Sequence, residues 1–522
     1  MQYAKLFNKR QTPQTQPIPG SKQVRNSAGG FTWSLDRWTV LDRFLILGSE
    51  SGTYYAGPIE ATHYGTANML DLMVDHGEDV VERICQVSLA GRAPKNDPAI
   101  FALAVCASLG NDKTRAAALM AIPLVCRTGT HLFQFAEVCN GLRGWGRGLR
   151  KGIANWYNAK SAEDLEYQAI KYKQREGWTH ADLLRLAHPI PPTDAHKALF
   201  RWIVDGEQIE PLPRVEAMLR LQQATSSAEA TELIRMAKLP REAVPTEWLK
   251  EASVWEALLE QMPMTAMVRN LATMTRVGLL ESGSLAAEKV VTELRSATRI
   301  RKSRLHPMAL LLAQRTYGSG HGLKGSGTWT PVTSIVDALD EAFYTAFENV
   351  EPTGKRYLLG VDVSGSMASP VMGSSMSACE IATAMAMVTV ATEPNVTPMA
   401  FADSFRRLPL SKRMRLDDAL NHTRNQNFGR TNCALPMLHA LEKKLPVDVF
   451  VVYTDNETWY GDVHPSQALA KYRQTMGIEA KLIVVAVTAT NFTIADPNDA
   501  GMLDVVGFDA NVPTVMREFA MT

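Results

Sequence analysis

The feature that most restricts the fold of this 522-residue chain is a change in hydrophobic periodicity between its two parts. From about Leu35 to Thr275 the apolar residues recur three and four positions apart, as in Trp255, Leu258 and Leu259. This spacing predicts amphipathic helices, and strand signals are scarce there. Short helices that cannot each bury an apolar face alone favour a stacked array of the HEAT or armadillo kind.

The second part of the chain has a different pattern. Its short apolar segments alternate with segments of helical length and lie at 356–362, 396–401, 448–454 and 481–487. Continuous apolar strands separated by helices predict a mostly parallel, doubly wound α/β sheet with both faces covered. A Glu-Pro-Thr-Gly turn before the first of these strands puts the domain boundary near residue 350.

These patterns predict a multidomain chain: a flexible N-terminal arm over residues 1–30, an all-α helical-repeat domain over 31–350 and an α/β domain over 351–522. The 6 cysteines include no C-x-x-C pair, which argues against a disulfide framework and against a zinc site. The N-terminus has no apolar signal core, and no segment reaches the ~18 apolar residues of a membrane helix. We therefore expect a cytoplasmic protein without a membrane partner.

Five oxygen-bearing side chains suggest a metal site in the α/β domain. Asp362, Ser364 and Ser366 form a D-x-S-x-S pattern where the first strand ends, at the sheet edge that binds ligands in such folds. Thr431, in a loop entering a helix, and Asp455, after another strand, add two donors. Such hard oxygen ligands favour Mg²⁺, and Mn²⁺ or Ca²⁺ fit them as well. The alternative is that Asp362 caps the following helix and the serines satisfy turn amides.

Charge is distributed unevenly although the totals, 55 Lys and Arg against 54 Asp and Glu, nearly cancel. The segment Arg143–Arg175 carries eight basic and three acidic residues, and Arg295–Lys324 carries seven basic residues and no acid. Such stretches can hold a phosphate backbone, while interspersed aromatic residues stack on unpaired bases. The alternative is solvated helix faces over core aromatics.

Several segments of the chain resemble the Ro (SS-A) autoantigen family and its TROVE domain. The matching segments include Arg43–Tyr55 (RFLILGSESGTYY), Trp145–Tyr157 (WGRGLRKGIANWY), Lys171–His188 (KYKQREGWTHADLLRLAH) and Val254–Thr275. The five oxygen donors resemble the metal-ion-dependent adhesion site of von Willebrand factor A domains, over roughly residues 356–522.

The resemblance implies a ring of HEAT-like helical repeats, the TROVE domain, closed against a von Willebrand factor A-like domain around a central hole. Family members bind small noncoding Y RNAs on the outer ring surface and hold single-stranded ends of misfolded or fragmentary RNAs in the hole. In bacterial members Y RNA tethers the ring to an exoribonuclease, polynucleotide phosphorylase, and the protein assists RNA quality control, maturation or decay. We expect a monomeric ring of this kind, from a bacterium or a phage.

By position within its matching segment, the resemblance implies RNA contacts at Lys171, Arg175 and His188. His188 has an alternative role as the residue that ends a helix before Pro189. Asn432 stands where many relatives place an acid. A competing function is a metal-dependent protein-recognition module. A metal-dependent hydrolase is disfavoured because the Asp, Ser and Thr donors have no evident general base, so we predict a protein that is not an enzyme.

Overall fold

The structure is a computed structural model that describes residues 11–48, 58–303, 305–322, 327–347, 351–371, 376–424, 429–488 and 490–522. All six cysteines are free thiols, five of them buried, as the absence of C-x-x-C pairs predicts. Among the described residues, no helix is both long and apolar enough to cross a membrane.

Helices dominate the first part, as its periodicity predicts. In chain order the described helices are α1 (Arg37–Leu47), α2 (Pro58–Ala90), α3 (Asp97–Leu109), α4 (Asp112–Val125), α5 (Gly129–Leu142), α6 (Arg147–Asn158), α7 (Ala162–Lys171), α8 (His180–Ala187), α9 (Asp194–Asp205), α10 (Pro213–Leu221), α11 (Ser227–Ala237), α12 (Ala252–Leu259), α13 (Met264–Arg276), α14 (Leu285–Arg295), α15 (Ala297–Ser303), α16 (Pro307–Gly318) and α17 (Thr333–Thr345). Short strands accompany them: β1 (Val24–Arg25), β2 (Phe31–Ser34), β3 (Gln174–Arg175) and β4 (Trp178–Thr179).

Local sequence signals set where many of these helices begin. Thr179 and Asp182 form a reciprocal capping box at the start of α8, which satisfies main-chain amides that have no partner within the helix. Proline occupies the first turn of α3, α10 and α16, where its missing amide removes no helical hydrogen bond. Successive helices then pack on neighbours one or two positions further along the chain, as in a helical-repeat array.

The second part is the predicted α/β domain. Its elements are β5 (Arg356–Asp362), α18 (Ala378–Thr392), β6 (Asn395–Phe401), β7 (Phe405–Arg407), α19 (Leu416–Arg424), α20 (Leu435–Glu442), β8 (Val449–Thr454), α21 (Pro465–Met476), β9 (Lys481–Ala486), β10 (Phe492–Thr493), β11 (Met502–Val506) and α22 (Val512–Met521). The six-stranded sheet has the order β11-β9-β8-β5-β6-β7, in which β7 is antiparallel and the other pairs are parallel.

Alternate residues of the central strands face opposite sides of this sheet. Val451 and Val485 belong to a core that includes α18 and continues into the helical array. Phe450, Val452 and Leu482 belong to a second core with α20 and α21. Because each strand is buried on both faces, it forms a continuous apolar segment in the sequence.

Both ends of the helical array contact the α/β domain. Arg43 of α1, almost fully buried, donates two hydrogen bonds of 2.8 Å to the carboxylate of Asp504 in β11. At the other end, Arg315 of α16 donates to Glu380 of α18 at 2.9 Å. Through these contacts the helical array and the α/β domain form a closed arrangement, in which the α/β domain joins the two ends of the array.

The prediction of a flexible arm over residues 1–30 is wrong for residues 11–30. Gln14 is fully buried and Asn26 is 5% exposed, and β1 of this segment pairs with β2, which in turn pairs with β10 of the α/β domain. Tertiary hydrogen bonds with residues more than 400 positions away fix this segment, and its polar local sequence does not reveal them. Residues 1–10 of the predicted arm lie outside the described residues, as do residues 348–350 at the predicted boundary.

Candidate metal centre and nucleic-acid interface

The five predicted metal ligands lie at one edge of the six-stranded sheet, here called the metal edge: Asp362, Ser364, Ser366, Thr431 and Asp455. Asp362 is the last residue of β5, and Asp455 directly follows β8, its parallel neighbour. The serines lie in the turn after β5, and Thr431 precedes α20. All five are buried, with exposed fractions between 0% and 4%.

Hydrogen bonds hold four of these side chains close together. The Ser364 amide donates to Asp362 Oδ1 at 2.9 Å, and the hydroxyls of Ser364 and Ser366 are 3.2 Å apart. Thr454, the last residue of β8, donates to Asp362 Oδ2 at 2.6 Å. The Ser366 hydroxyl bonds to the Asp455 carboxylate. Asp362 therefore organises the turn that follows β5, while its other oxygen faces the neighbouring strand.

Thr431 joins the metal edge through its main chain. Its carbonyl accepts hydrogen bonds from the amides of Trp459 at 3.2 Å and Tyr460 at 3.0 Å, in the loop that begins with Asp455. The two loops that carry Thr431 and Asp455 are thus fastened to each other.

The electrostatics of the metal edge fit a bound divalent cation. Burial and the neighbouring Asp455 raise the pKa of Asp362 to about 7, and burial also raises the pKa of Asp455. Burial and Asp455 likewise raise the pKa of Glu457 to about 8, and its Oε1 is buried without a hydrogen-bond partner. Clustered buried carboxylates need a compensating positive charge, which a cation would supply. No trio of His, Cys, Asp or Glu among the described residues has a ligand arrangement, so the set depends on hydroxyl oxygens.

Sequence reasoning missed two participants in this edge, Thr454 and Glu457. Thr454 is the last residue of a strand that is otherwise apolar, so the sequence did not indicate that its hydroxyl takes part in this edge. Glu457 lies two residues after Asp455, a spacing that places side chains on one side of an extended segment and therefore offered a usable signal.

A second candidate site is a group of three neighbouring cavities, here called the α13 cavities because all share Thr265 and Arg269 of α13. Their volumes are about 830, 500 and 320 Å³. The largest is lined by one acid, Glu242, and by five cationic side chains, those of Lys171, Arg214, Lys238, Arg241 and Arg269. The two smaller cavities both extend to Lys95.

Most of this positive charge is not neutralised within the described part of the chain. Arg214 pairs with Glu163 at 2.9 Å. Lys171, Lys238 and Arg269 form no ion pair with a described residue, and Lys238 and Arg269 are exposed. Charges of this kind are available to a phosphate backbone.

The three predicted RNA contacts lie in different settings. Lys171, at the end of α7, lines the largest cavity and donates to the Tyr167 hydroxyl at 3.2 Å. Arg175 lies in the exposed β3–β4 hairpin beside Glu176. His188 is exposed in a left-handed conformation (φ 47°) that ends α8, as its alternative role predicts. No described hydrogen bond joins the three to one another.

The second basic stretch, Arg295–Lys324, is partly neutralised. Arg295 pairs with Glu341 at 2.7 Å, and Arg299 pairs with Glu293. Arg304 and Lys324 lie outside the described residues. Sequence reasoning counted these charges but did not find Arg214, Lys238, Arg241 or Arg269, because they are scattered along the chain and converge only in the folded array.

Comparison with known proteins identifies both parts of the chain. Residues 24–211 and 219–355 match the family model of the TROVE domain, and residues 356–520 match that of the Ro60 vWA domain. The RNA-binding protein RO60 of Deinococcus radiodurans is 42% identical over 528 residues, which cover 99% of this chain and 98% of that protein. The RNA-binding protein RO60 of Caenorhabditis elegans is 38% identical over 579 residues, covering 95% and 90%.

A solved structure supports the same relationship. The crystal structure of the Deinococcus radiodurans RO (RSR) protein superposes with a TM-score of 0.71 at 41% identity, over 93% of this chain and 99% of that one. The match confirms the predicted fold class of a helical-repeat domain followed by an α/β domain. Both curated relatives are named RNA-binding proteins, not enzymes. The chain belongs to the Ro60 family, with a TROVE domain followed by a Ro60-type von Willebrand factor A domain.

Proposed function

We propose that this chain is a non-enzymatic RNA-binding scaffold that acts in RNA quality control, maturation or decay. Small noncoding RNAs of the Y RNA class bind to the helical domain, and single-stranded ends of misfolded or fragmentary RNAs enter the α13 cavities. The observation that carries this proposal is the cationic lining of those cavities, in a chain related over nearly its whole length to proteins named for RNA binding.

The chemistry of the largest cavity suits unpaired RNA. The Lys171 ammonium lies 5.2 Å from the ring centre of Tyr167 and 5.5 Å from that of Tyr172, and both rings line the cavity. Cations beside aromatic faces are the arrangement that holds phosphates while bases stack. A paired duplex hides its base faces, so these rings favour single-stranded segments.

The family resemblance suggests how such a scaffold would operate. A Y RNA bound to the helical domain would tether an exoribonuclease such as polynucleotide phosphorylase, which would degrade the RNA that the scaffold presents. Because contacts within one chain already close the helices and the α/β domain into a loop, no second copy is needed to enclose the cavities. We therefore propose a monomeric ring that acts in the cytoplasm.

The test of RNA binding is a double charge reversal, Lys171→Glu with Arg175→Glu. We expect affinity for a structured small RNA to fall about 10-fold or more, with a weaker dependence on salt, because two phosphate contacts become repulsive. Fluorescence anisotropy over a salt series measures both. The matched control is Arg295→Glu with Arg299→Glu, since these arginines already pair with acids and should change affinity little. Unchanged affinity in the first variant would remove Lys171 and Arg175 from the site.

We also propose that the metal edge holds a divalent cation, most readily Mg²⁺, with Mn²⁺ or Ca²⁺ as chemically similar occupants. The supporting observation is the cluster of buried carboxylates and hydroxyls without a compensating charge among the described residues. Such an edge favours a second candidate function, a metal-dependent protein-recognition module. The Asp362→Ala variant separates the two functions, because it should lose the cation and any captured protein while RNA affinity stays.

A further inference from the structure

The N-terminal segment of the chain passes over the metal edge. We call residues 11–34 the N-terminal strap. The strap amide of Ala28 donates to Glu457 Oε2 at 3.0 Å, and the side-chain amide of Asn26 donates to the Thr458 carbonyl at 2.7 Å. Strap residues thus contact the loop that begins with the predicted ligand Asp455.

One strap residue, Gln14, is inserted between two loops and is fully buried. Its Nε2 donates to Asn432 Oδ1 and to the Val463 carbonyl, each at 2.8 Å. Its Oε1 accepts a hydrogen bond from the Thr458 hydroxyl. Both donor hydrogens and the acceptor oxygen of this amide are therefore used, which is the condition for burying it without cost.

The two loops that Gln14 joins each carry a predicted metal ligand. Asn432 directly follows Thr431, and Thr458 is three residues after Asp455. The same two loops are also bonded to each other, since the Cys433 amide donates to the Thr458 hydroxyl at 3.1 Å. Gln14 lies at this junction, so its loss would remove one hydrogen bond each from Asn432, Thr458 and the Val463 carbonyl and loosen both loops.

We propose that Gln14 is a positioning residue for the cation of the metal edge, so that the N-terminal strap sets how tightly the α/β domain binds a divalent ion. This inference rests on the proposed cation. Its physical basis is that ligands bind an ion tightly only when outer hydrogen bonds hold them in place, and Gln14 supplies such bonds to both ligand loops at once.

The experiment is Mn²⁺ titration of the full-length protein, with free Mn²⁺ read by electron paramagnetic resonance. We expect Gln14→Ala to weaken Mn²⁺ binding about 10-fold or more, the usual effect of losing an outer partner of a ligand. The matched control is Gln16→Ala, in the same strap, because the Gln16 side chain is exposed and makes no described hydrogen bond. The control should bind Mn²⁺ as the unsubstituted chain does.

A second variant guards against a failure to fold. Gln14→Met keeps the buried side-chain length and removes all three hydrogen bonds, and retained circular dichroism and RNA affinity would show that it folds. Normal Mn²⁺ affinity in a folded Gln14 variant overturns the positioning role while the cation proposal stands. If the unsubstituted chain binds Mn²⁺ no better than Asp362→Ala, both the cation proposal and this inference fall. Equal weakening by Gln16→Ala also overturns it.

Discussion

The metal edge and the α13 cavities differ in the sign and in the burial of the charged side chains that they offer to a ligand. At the metal edge the charged groups are buried carboxylates, linked by short hydrogen bonds and sharing raised pKa values. In the cavities the charged groups are cations, and Lys238 and Arg269 are exposed and form no ion pair with described residues. A small ion requires fixed donors at defined distances. An RNA backbone of variable sequence requires accessible charge, and its binding depends on salt.

This difference predicts that a substitution can abolish ligand binding at one site without weakening it at the other. The metal edge lies in the α/β domain, and the residues that line the α13 cavities come from the helical domain. A substitution that removes one ligand should therefore leave the other ligand bound, and any cross-effect would show that the contacts between the domains couple the sites.

The largest expected effect is the loss of the cation in Asp362→Ala. Asp362 supplies the carboxylate that the turn serines and Thr454 surround, so its removal should weaken Mn²⁺ binding more than about 100-fold, beyond the usual effect of losing an outer partner. Isothermal titration calorimetry measures the change. The control is Asp462→Ala, which removes an exposed acid of the same domain. A loss of RNA affinity in Asp362→Ala would contradict the independence of the sites.

The second effect is a loss of single-stranded RNA ends in Arg269→Glu. Arg269 touches all three α13 cavities, so reversing its charge should weaken binding of an RNA with a single-stranded 3′ tail about 10-fold and lower the salt slope by about 1. Anisotropy with tailed and blunt RNAs measures the difference. Mn²⁺ affinity should not change.

Arg276→Glu is the matched control for Arg269→Glu. It makes the same substitution at the end of the same helix, at an exposed arginine that does not line the cavities. If Arg276→Glu weakens the tailed RNA as much as Arg269→Glu, the effect comes from general repulsion and not from the cavities.

The sequence predicted the fold well because its signals are local. The helical spacing of apolar residues in α12 and the continuous apolar segment of β8 each predict which residues of that element are buried. Asp362 and Asp455 were predicted to meet because parallel strands end at one sheet edge, which is a rule of topology. The N-terminal strap was missed because Gln14 bonds to residues more than 400 positions away, and nothing in its neighbourhood reports them.

The residues that line the α13 cavities likewise show that contacts between distant parts of the chain are hard to predict from the sequence. Lys171 was predicted from its position in a matching segment. Arg269 also lies in one, Val254–Thr275, but it has no basic neighbours in the chain and was not singled out. Its place in the same cavity as Lys171 depends on how α7 and α13 are arranged in the folded array. Counting charge along the sequence indicated a basic stretch that includes Arg295, whose charge is compensated by Glu341 of α17. Basic residues that are adjacent in the sequence therefore do not identify a site whose residues meet only when the helices pack together.

The smallest expected effect is a pH dependence that only the metal edge should show. Burial and Asp455 raise the pKa of Asp362 to about 7, so the proton must leave before the carboxylate can bind a cation. Mn²⁺ affinity should fall about 5-fold between pH 7 and pH 6 and level off above about pH 8. Without a metal, the contribution of Asp362 to the stability of the fold changes with pH in the opposite direction. Because burial raises the folded pKa of Asp362 above its unfolded value, the stability that its protonated carboxyl contributes is complete below about pH 4 and is lost as pH rises through 7.

The α13 cavities provide the contrast within the same molecule. Their lining is made of lysines and arginines, residue types that ordinarily titrate above about pH 10. His131, which lines one cavity, is held neutral because burial lowers its pKa to about 4. RNA affinity at constant salt should therefore be flat over the range in which Mn²⁺ affinity changes. Parallel titrations of Mn²⁺ and tailed RNA at pH 6, 7 and 8 test both statements. A pH-independent Mn²⁺ affinity would mean that Asp362 is not a ligand, and RNA binding that follows the same curve would mean that the two sites are one coupled system.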